Sequence, residues 1–335
     1  MDDLKHGYRR KRALLLALFL VLLAGMAAAV FLGRYPKTGF TAISGLKTDP
    51  LAVKILLSLR LPRVLLSVLL GMALGASGAV FQLIFGNPLV EPGFLGVSQG
   101  AAFGAALAII LWGKSLFQIQ VLSAACGLGG LALAFFIGRR IRFGGWLLRL
   151  VLAGLAVSAF FSSGLGFLKY VADPLTQLPE ITFWLLGGLS GATWTRTLSV
   201  LPVIVVTFPV LIALRWKINL LTISDQAAFS LGISPGRLRI ILILCATLPV
   251  TAIISVSGIV QWVGLVVPHI SRKVFGVDSR FSLPGAMAIG GLLGLFCDTI
   301  SRVLLPGEIP LGIVTSFFGA ALFIIILSRR EVKTR

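Results

Sequence analysis

Few residues in this sequence have the type and spacing that chemistry requires. His6 and His269 are its two histidines. One lies in a basic stretch and the other beside Arg272-Lys273, and neither has a nucleophile or base near it in sequence. A structural or interfacial role therefore suits His269 better than proton transfer. Cys126, Cys245 and Cys297 each sit inside an apolar run without the paired spacing of a zinc or redox site, so they read as buried small hydrophobes. Gly113-Lys114-Ser115 imitates the end of a phosphate loop, but Ala108 stands where the earlier glycine is needed, and the surrounding residues form an apolar helix end. The chain therefore holds no usual ATP-binding loop, and any such energy must come from a partner. Asp298 is the one acid bracketed by apolar sequence within a helix, and Arg302, four residues on, can pair with it along one face.

The elements that carry these residues are built for lipid. Of 335 residues, 57% are hydrophobic and 12% charged, more apolar surface than a single water-soluble core can hide. The net charge of +19 would suggest nucleic acid in a soluble protein, but here the basic residues form short clusters between long uncharged stretches and read as membrane-orienting charges. The amino end, with Lys5 and Arg9 to Arg12 ahead of an apolar run from Ala13, resembles a secretory signal. Its run of about 20 residues exceeds the usual signal core and favours a retained first helix.

Windows free of Asp, Glu, Lys and Arg number ten: 13–33, 64–90, 92–113, 115–138, 150–168, 181–195, 197–214, 240–271, 281–297 and 309–328. The window at 181–195 is short and glycine-rich, which predicts a re-entrant or interfacial helix over about 180–192. The window at 240–271 is long enough for two helices and divides at Gly258. The expectation is an all-α integral membrane protein of about ten spans forming a single domain over 1–335. With the amino end cytoplasmic, twenty basic residues fall inside and ten outside, six of them in one segment (Arg34, Lys37, Lys47, Lys54, Arg60, Arg63). Both termini are thus expected in the cytoplasm, with one outer cluster that demands a reason. Gly71/Gly75, Gly100/Gly104 and Gly290/Gly294 predict helices in close backbone contact. Ser77-Gly78-Ala79-Val80, leading to Pro88, echoes Ser257-Gly258-Ile259-Val260, leading to Pro268, which leaves an inverted repeat open.

Two connections invite a function. The run from Asn87 to Gly100, with Pro88, Glu91 and Pro92, is dense in helix breakers and must be solvated by protein or by a cavity; it is either a tight turn or part of a pathway. Residues 217–239 contain a short helix expected to be capped by Ser224 and to end at Gly232, with Ala228 and Leu231 on one face as a docking knob.

Arg60-Leu61-Pro62-Arg63, Ser77-Gly78-Ala79 running into Asn87-Pro88-Leu89, Glu91-Pro92-Gly93, Leu95-Gly96-Val97-Ser98, Trp184-Leu185-Leu186-Gly187-Gly188, Val263 to His269, and Pro310 to Thr315 occur in order. Together they resemble the FecCD-type permeases of ABC importers for iron-siderophores, haem and cobalamin, over essentially the whole chain. The resemblance implies a type II importer permease fold and a homodimer in the bacterial inner membrane. Two ATPase subunits would carry Mg-ATP while this chain holds no cofactor and catalyses nothing itself, and a binding protein would deliver a metal chelate. It assigns docking of the binding protein to Arg60, Arg63 and Arg302. ATPase coupling falls to residues 224–237, with Ser224 (where the family commonly has glycine), Asp225, Gln226, Ala228, Leu231 and Gly232. The pathway or gate would use Asn87, Pro88 and Glu91 with Trp146, Leu147 and Leu148, where cobalamin permeases carry small hydroxyl residues. The rival reading, a transporter driven by an ion gradient, lacks the several buried acids it usually needs.

Overall fold

The computed structural model describes residues 2–35, 39–41, 49–113, 115–223 and 225–328. Helix α1 (Asp2–Phe31) ends in a minimal antiparallel pair, β1 (Leu32–Gly33) with β2 (Gly39–Phe40). Asp49 caps α2 (Pro50–Ile55) through the Leu51 and Ala52 amides, and one π turn over Leu56–Arg60 joins it to α3 (Leu61–Phe85). There follow α4 (Val97–Trp112), α5 (Leu116–Arg140), α6 (Trp146–Val171), α7 (Gln177–Leu185), α8 (Trp194–Leu220) and α9 (Asp225–Ser230). The chain closes with α10 (Pro235–Ser257), α11 (Val263–Phe275), α12 (Ser279–Val303) and α13 (Leu311–Ser328).

Seven of these, beginning at Gly7, Pro50, Leu116, Trp146, Trp194, Pro235 and Ser279, are long and apolar enough to cross a membrane, and α4 and α13 are shorter apolar helices. The expected ten is reached only by adding those two and α11, whose thirteen residues rise about 20 Å against a hydrocarbon core of about 30 Å.

Helix α3 is the axis of the fold, buried along nearly its whole length and packed on α12, α11, α10 and α8. Its seam with α12 has glycine on both sides. A Cβ on Gly71 would overlap the Gly290 carbonyl, one on Gly75 the Ala286 carbonyl, and one on Gly294 the Ser67 carbonyl. Backbone-to-backbone contact replaces side-chain interdigitation, the expected solution where lipid gives helices no hydrophobic drive to associate. Gly100 and Gly104 of α4 meet the Cys126 and Leu122 carbonyls of α5 in the same way.

The chain breaks at Gly258 as the sequence predicts (φ +69°), and α11 starts only after an irregular stretch through Trp262. The echo with Ser77 to Val80 is not matched in local structure, because that stretch runs unbroken through the middle of α3 whereas Ser257 to Val260 lies at a helix end. Gly78 instead faces Gly264, where it makes room for the backbone of α11.

Candidate functional site: a broken-helix junction between two charged ends

Three irregular segments meet inside the bundle. After α7 the Gly188 amide donates to the Ser257 carbonyl at 2.7 Å, and the Gly312 amide at the head of α13 donates to the Leu186 carbonyl at 3.0 Å. A Cβ on Gly187 would strike Ile259 O and one on Gly258 would strike Trp184 O, so these crossings need glycine. Backbone groups that helix ends leave unpaired thereby satisfy each other away from water. Helix α7 ends at Leu185, earlier than the expected span of about 180–192, because Gly187 takes positive φ and turns the chain into this junction. Trp262 is held at φ 71°, the one non-glycine residue with positive φ among the described residues, with its ring edge-on to Phe323 at 6.0 Å.

Cavities open around the junction. One of about 260 Å³ is lined by Glu91, Ser98, Gln99, Ser158 and Gln261 among apolar residues of α3, α6 and α10. A second of about 510 Å³ shares Gln99 and Gln261 and adds Ser316. A third of about 540 Å³ lies toward the start of α8 and includes Glu180, Ser190 and Arg196. The carboxamides, hydroxyls and two carboxylates that line these cavities inside the bundle can exchange hydrogen bonds with a passing polar solute or its water. Gln99 falls within the breaker-rich run from Asn87 to Gly100, whereas Gln261 was not foreseen, because an uncharged amide leaves an apolar window intact.

The expected gate residues do not come together at one level. Asn87 and Pro88 are exposed in the turn after α3, where Gly86 takes the left-handed conformation and the Asn87 side chain accepts from the Leu89 amide. Trp146 and Leu147 pack into the core, Trp146 against Phe135, while Leu148 is exposed. The turn that follows Glu91 meets α6 higher up, at Gly154 and Val157, and places Glu91 in the internal cavity. The reason is geometric: residues 92–95 form a tight 3-10 turn that climbs back along α6 instead of lying across its end.

The expected docking arginines are interior cations, each 8% exposed. Arg60 donates to Thr41 Oγ1 at 2.9 Å, Tyr35 O at 2.9 Å and the carbonyls of Val30 and Phe31. Arg302 donates to the Leu32 and Ala29 carbonyls. Arg63 binds Asp298 Oδ1 through Nε at 2.9 Å and Glu308 Oε1 through Nη1 at 2.7 Å. Asp298, fully buried, also faces Arg302 Nε at 3.6 Å, so the pairing foreseen along α12 exists and has a third member from α3. Arg60 and Arg302 are drawn inward by carbonyls at and after the end of α1, and Arg63 by the carboxylates of Asp298 and Glu308, so none of the three is a free rim charge. Of the same segment, Lys54 is exposed, and Lys37 and Lys47 lie outside the described residues.

At the opposite end, α9 packs one side against the bundle and exposes the other. Asp225 takes two hydrogen bonds from Arg239, at 2.9 and 2.7 Å, which hold its carboxyl below the usual range against slight burial. Gly232 closes the helix with positive φ and an amide bond to Phe229 O. Ala228 faces inward and is fully buried, so the exposed apolar pair is Phe229 and Leu231, 71% and 61% exposed, not Ala228 with Leu231. Gln226 is exposed beside them, and Ser224, the expected cap, lies outside the described residues. His269 is structural: its Nδ1 lies 2.9 Å from Leu265 O, and its ring meets Phe323 edge-on.

Comparison with known proteins decides what this architecture is. The sequence matches the FecCD transport family over residues 15–329. The chain belongs to that family of ABC permease transport subunits. It is 34% identical over 317 residues to the molybdate import system permease protein MolB of Haemophilus influenzae, covering 92% of this chain and 94% of that one. It is 35% identical to the hemin transport system permease protein HmuU of Yersinia pestis, over 96% of this chain and 97% of that one. The vitamin B12 import system permease protein BtuC of Vibrio vulnificus is 32% identical, over 97% and 96%. A solved structure described as an inward-facing metal-chelate type ABC transporter superposes with TM-score 0.86 at 34% identity, covering 94% of this chain and 99% of that one. PsaBC of Streptococcus pneumoniae, at TM-score 0.55 and 16% identity, shares the fold. This FecCD chain is therefore a multi-pass membrane permease subunit.

Proposed function

We propose that the chain forms, as a homodimer, the translocation pathway of a bacterial inner-membrane importer for a metal chelate of the iron-siderophore, haem or cobalamin class, driven by Mg-ATP on two separate ATPase subunits. The observation that carries this reading is the superposition over nearly the full length on a metal-chelate type transporter. The polar cavities at the broken junction add to it, giving a large solute hydrogen-bonding partners within the bilayer. The excess of positive charge at the α1 end favours cytoplasmic termini.

On this reading the α9 knob, Phe229 and Leu231 with Asp225, Gln226 and Gly232 fixing its shape, seats in the ATPase and transmits its stroke. Glu91, with Gln99 and Gln261, faces the cargo, while Asn87, Pro88 and Leu148 border the cytoplasmic mouth and Trp146 and Leu147 anchor the helix behind it. A binding protein would approach the other end. Arg63 is the arginine a carboxylate from outside can reach by exchange, because its partner Glu308 lies at the surface with 43% of its side chain exposed. Arg60 and Arg302 would hold the platform in shape.

Reconstitution in vesicles tests the whole. Chelate uptake should require the ATPase and ATP; uptake on an ion gradient alone, without the ATPase, overturns the proposal in favour of a secondary transporter. Leu231→Asp should leave ATP hydrolysis running while transport falls at least tenfold, and coupled transport at the wild-type rate removes α9 from the power path.

A further inference from the structure

At the end of the molecule where α1 starts, apart from the junction, a pocket of about 290 Å³ is lined by Tyr8, Arg12, Leu15, Arg215, Arg280 and Phe281. Three arginines thus come from three helices, α1, α8 and α12, that are distant in sequence. Arg280 is partly neutralised, by Asp278 at 2.8 Å, and is further fixed by a hydrogen bond to Tyr8 Oη and by stacking of its guanidinium over the Tyr8 ring at 5.1 Å. Among the described residues, nothing accepts a hydrogen bond from the guanidinium of Arg12 or of Arg215. Lys11 adds a fourth cation beside the pocket, its ammonium 5.7 Å from the centre of the Phe281 ring. Among the described side chains, one acid therefore faces four bases.

The remainder of the lining is apolar, and it lies where the membrane begins. Leu15 is inside the uncharged run that starts at Ala13, and the outward face of α1 continues with exposed Leu14, Leu16, Leu20, Val21 and Leu23. A site for a free anion needs only the cations; here the cations stand at the head of an exposed hydrocarbon strip. We infer that this pocket binds the phosphate headgroup of an anionic membrane phospholipid, with its acyl chains lying along α1. Guanidinium groups present paired donors that match phosphate oxygens, and a basic pocket between helices at the membrane boundary is the arrangement that selects anionic lipid. Such a lipid would bridge α1, α8 and α12, which at this end are joined by the Asp278 and Ser279 contacts to Asn219 and by Tyr8 to Arg280. The inference depends on neither the cargo nor the ATPase.

The test measures lipid retained by the purified full-length chain, by native mass spectrometry and by thermal shift, with three probes: phosphatidylglycerol, phosphatidylcholine and inorganic phosphate. Wild type should hold phosphatidylglycerol at least tenfold better than phosphatidylcholine and gain thermal stability from it. Arg12→Gln with Arg215→Gln should weaken retention on the order of 20-fold, as expected for two interfacial cations. Arg12→Gln alone, an exposed site safe for folding, should weaken it roughly fivefold. Arg139→Gln with Arg142→Gln, an equal charge loss at exposed positions on the same end, should change it less than twofold. Undiminished retention in the Arg12/Arg215 variant overturns the site, as does equal loss in the Arg139/Arg142 variant, which would mean diffuse attraction. Inorganic phosphate that stabilises the protein as well as the lipid does, or displaces it at millimolar concentration, overturns the lipid assignment in favour of a free anion.

Discussion

The two ends of the bundle use the same residue type in opposite ways. At the end where α1 finishes, Arg60, Arg63 and Arg302 are drawn inside, and each donates to backbone carbonyls or to a buried carboxylate. At the end where α1 starts, Arg12, Arg139 and Arg142 stand exposed, with no ion pair among the described residues. A buried guanidinium is costly unless most of its donors find partners, so it fixes the geometry of its neighbours, whereas an exposed one is answered by water or lipid headgroups and acts at longer range. The first end is therefore a cross-linked cap and the second an electrostatic surface, and only at the second can cations take a new partner without first releasing an old one.

Three substitutions probe that contrast, from the largest effect to the smallest. Asp298→Ala strands Arg63 and Arg302 in the interior; it should destabilise the cap by about 3–5 kcal/mol, seen as an early melting transition in detergent. A loss below about 1 kcal/mol would mean that the arginines swing out to water and that the cap is not cross-linked. Arg60→Gln, which removes the charged donor to Thr41 and to the Tyr35 carbonyl, should cost about 1.5–3 kcal/mol and speed hydrogen exchange at the end of α1 before anywhere else. Asp225→Asn at the other end should cost about 1 kcal/mol at neutral pH, because the Asp225 side chain is 59% exposed although its partner Arg239 is only 12% exposed. The sign with pH follows from the depressed carboxyl. The contribution of Asp225 is complete above the unfolded value of about 3.9 and disappears as pH falls through the lower folded value. Wild type and variant should therefore begin to converge below about pH 4 and coincide once pH lies below the depressed folded value; a difference that does not shrink as pH falls through this range would locate the effect outside the ion pair.

Much of the helix plan was legible because lipid imposes a simple rule, a long stretch without charge, and α1, α5, α6, α8, α10 and α12 follow it. The break at Gly258 was legible from length and from one glycine, and the α3–α12 seam from glycines four residues apart. The roles of particular side chains were less so. Nothing in the local sequence separates Arg60 from Arg12; what buries the first is a set of carbonyls at the end of α1, some thirty residues away. Ala228 turns inward instead of standing exposed with Leu231, because α9 is a helix of six residues that Asp225 ties to Arg239 in the next helix.

The sequence by itself determined the solvent this chain needs, the family to which it belongs, roughly where its long apolar helices lie and where they touch backbone to backbone, because each of these depends on composition or spacing within one segment. Only the tertiary structure decided which charges are sealed in and which remain free. It also decided that the breaks after α7, after α10 and before α13 converge, and that Glu91, Gln99 and Gln261 share one cavity. Those outcomes depend on which distant segments meet, and a buried polar group takes its character from the partner it finds there.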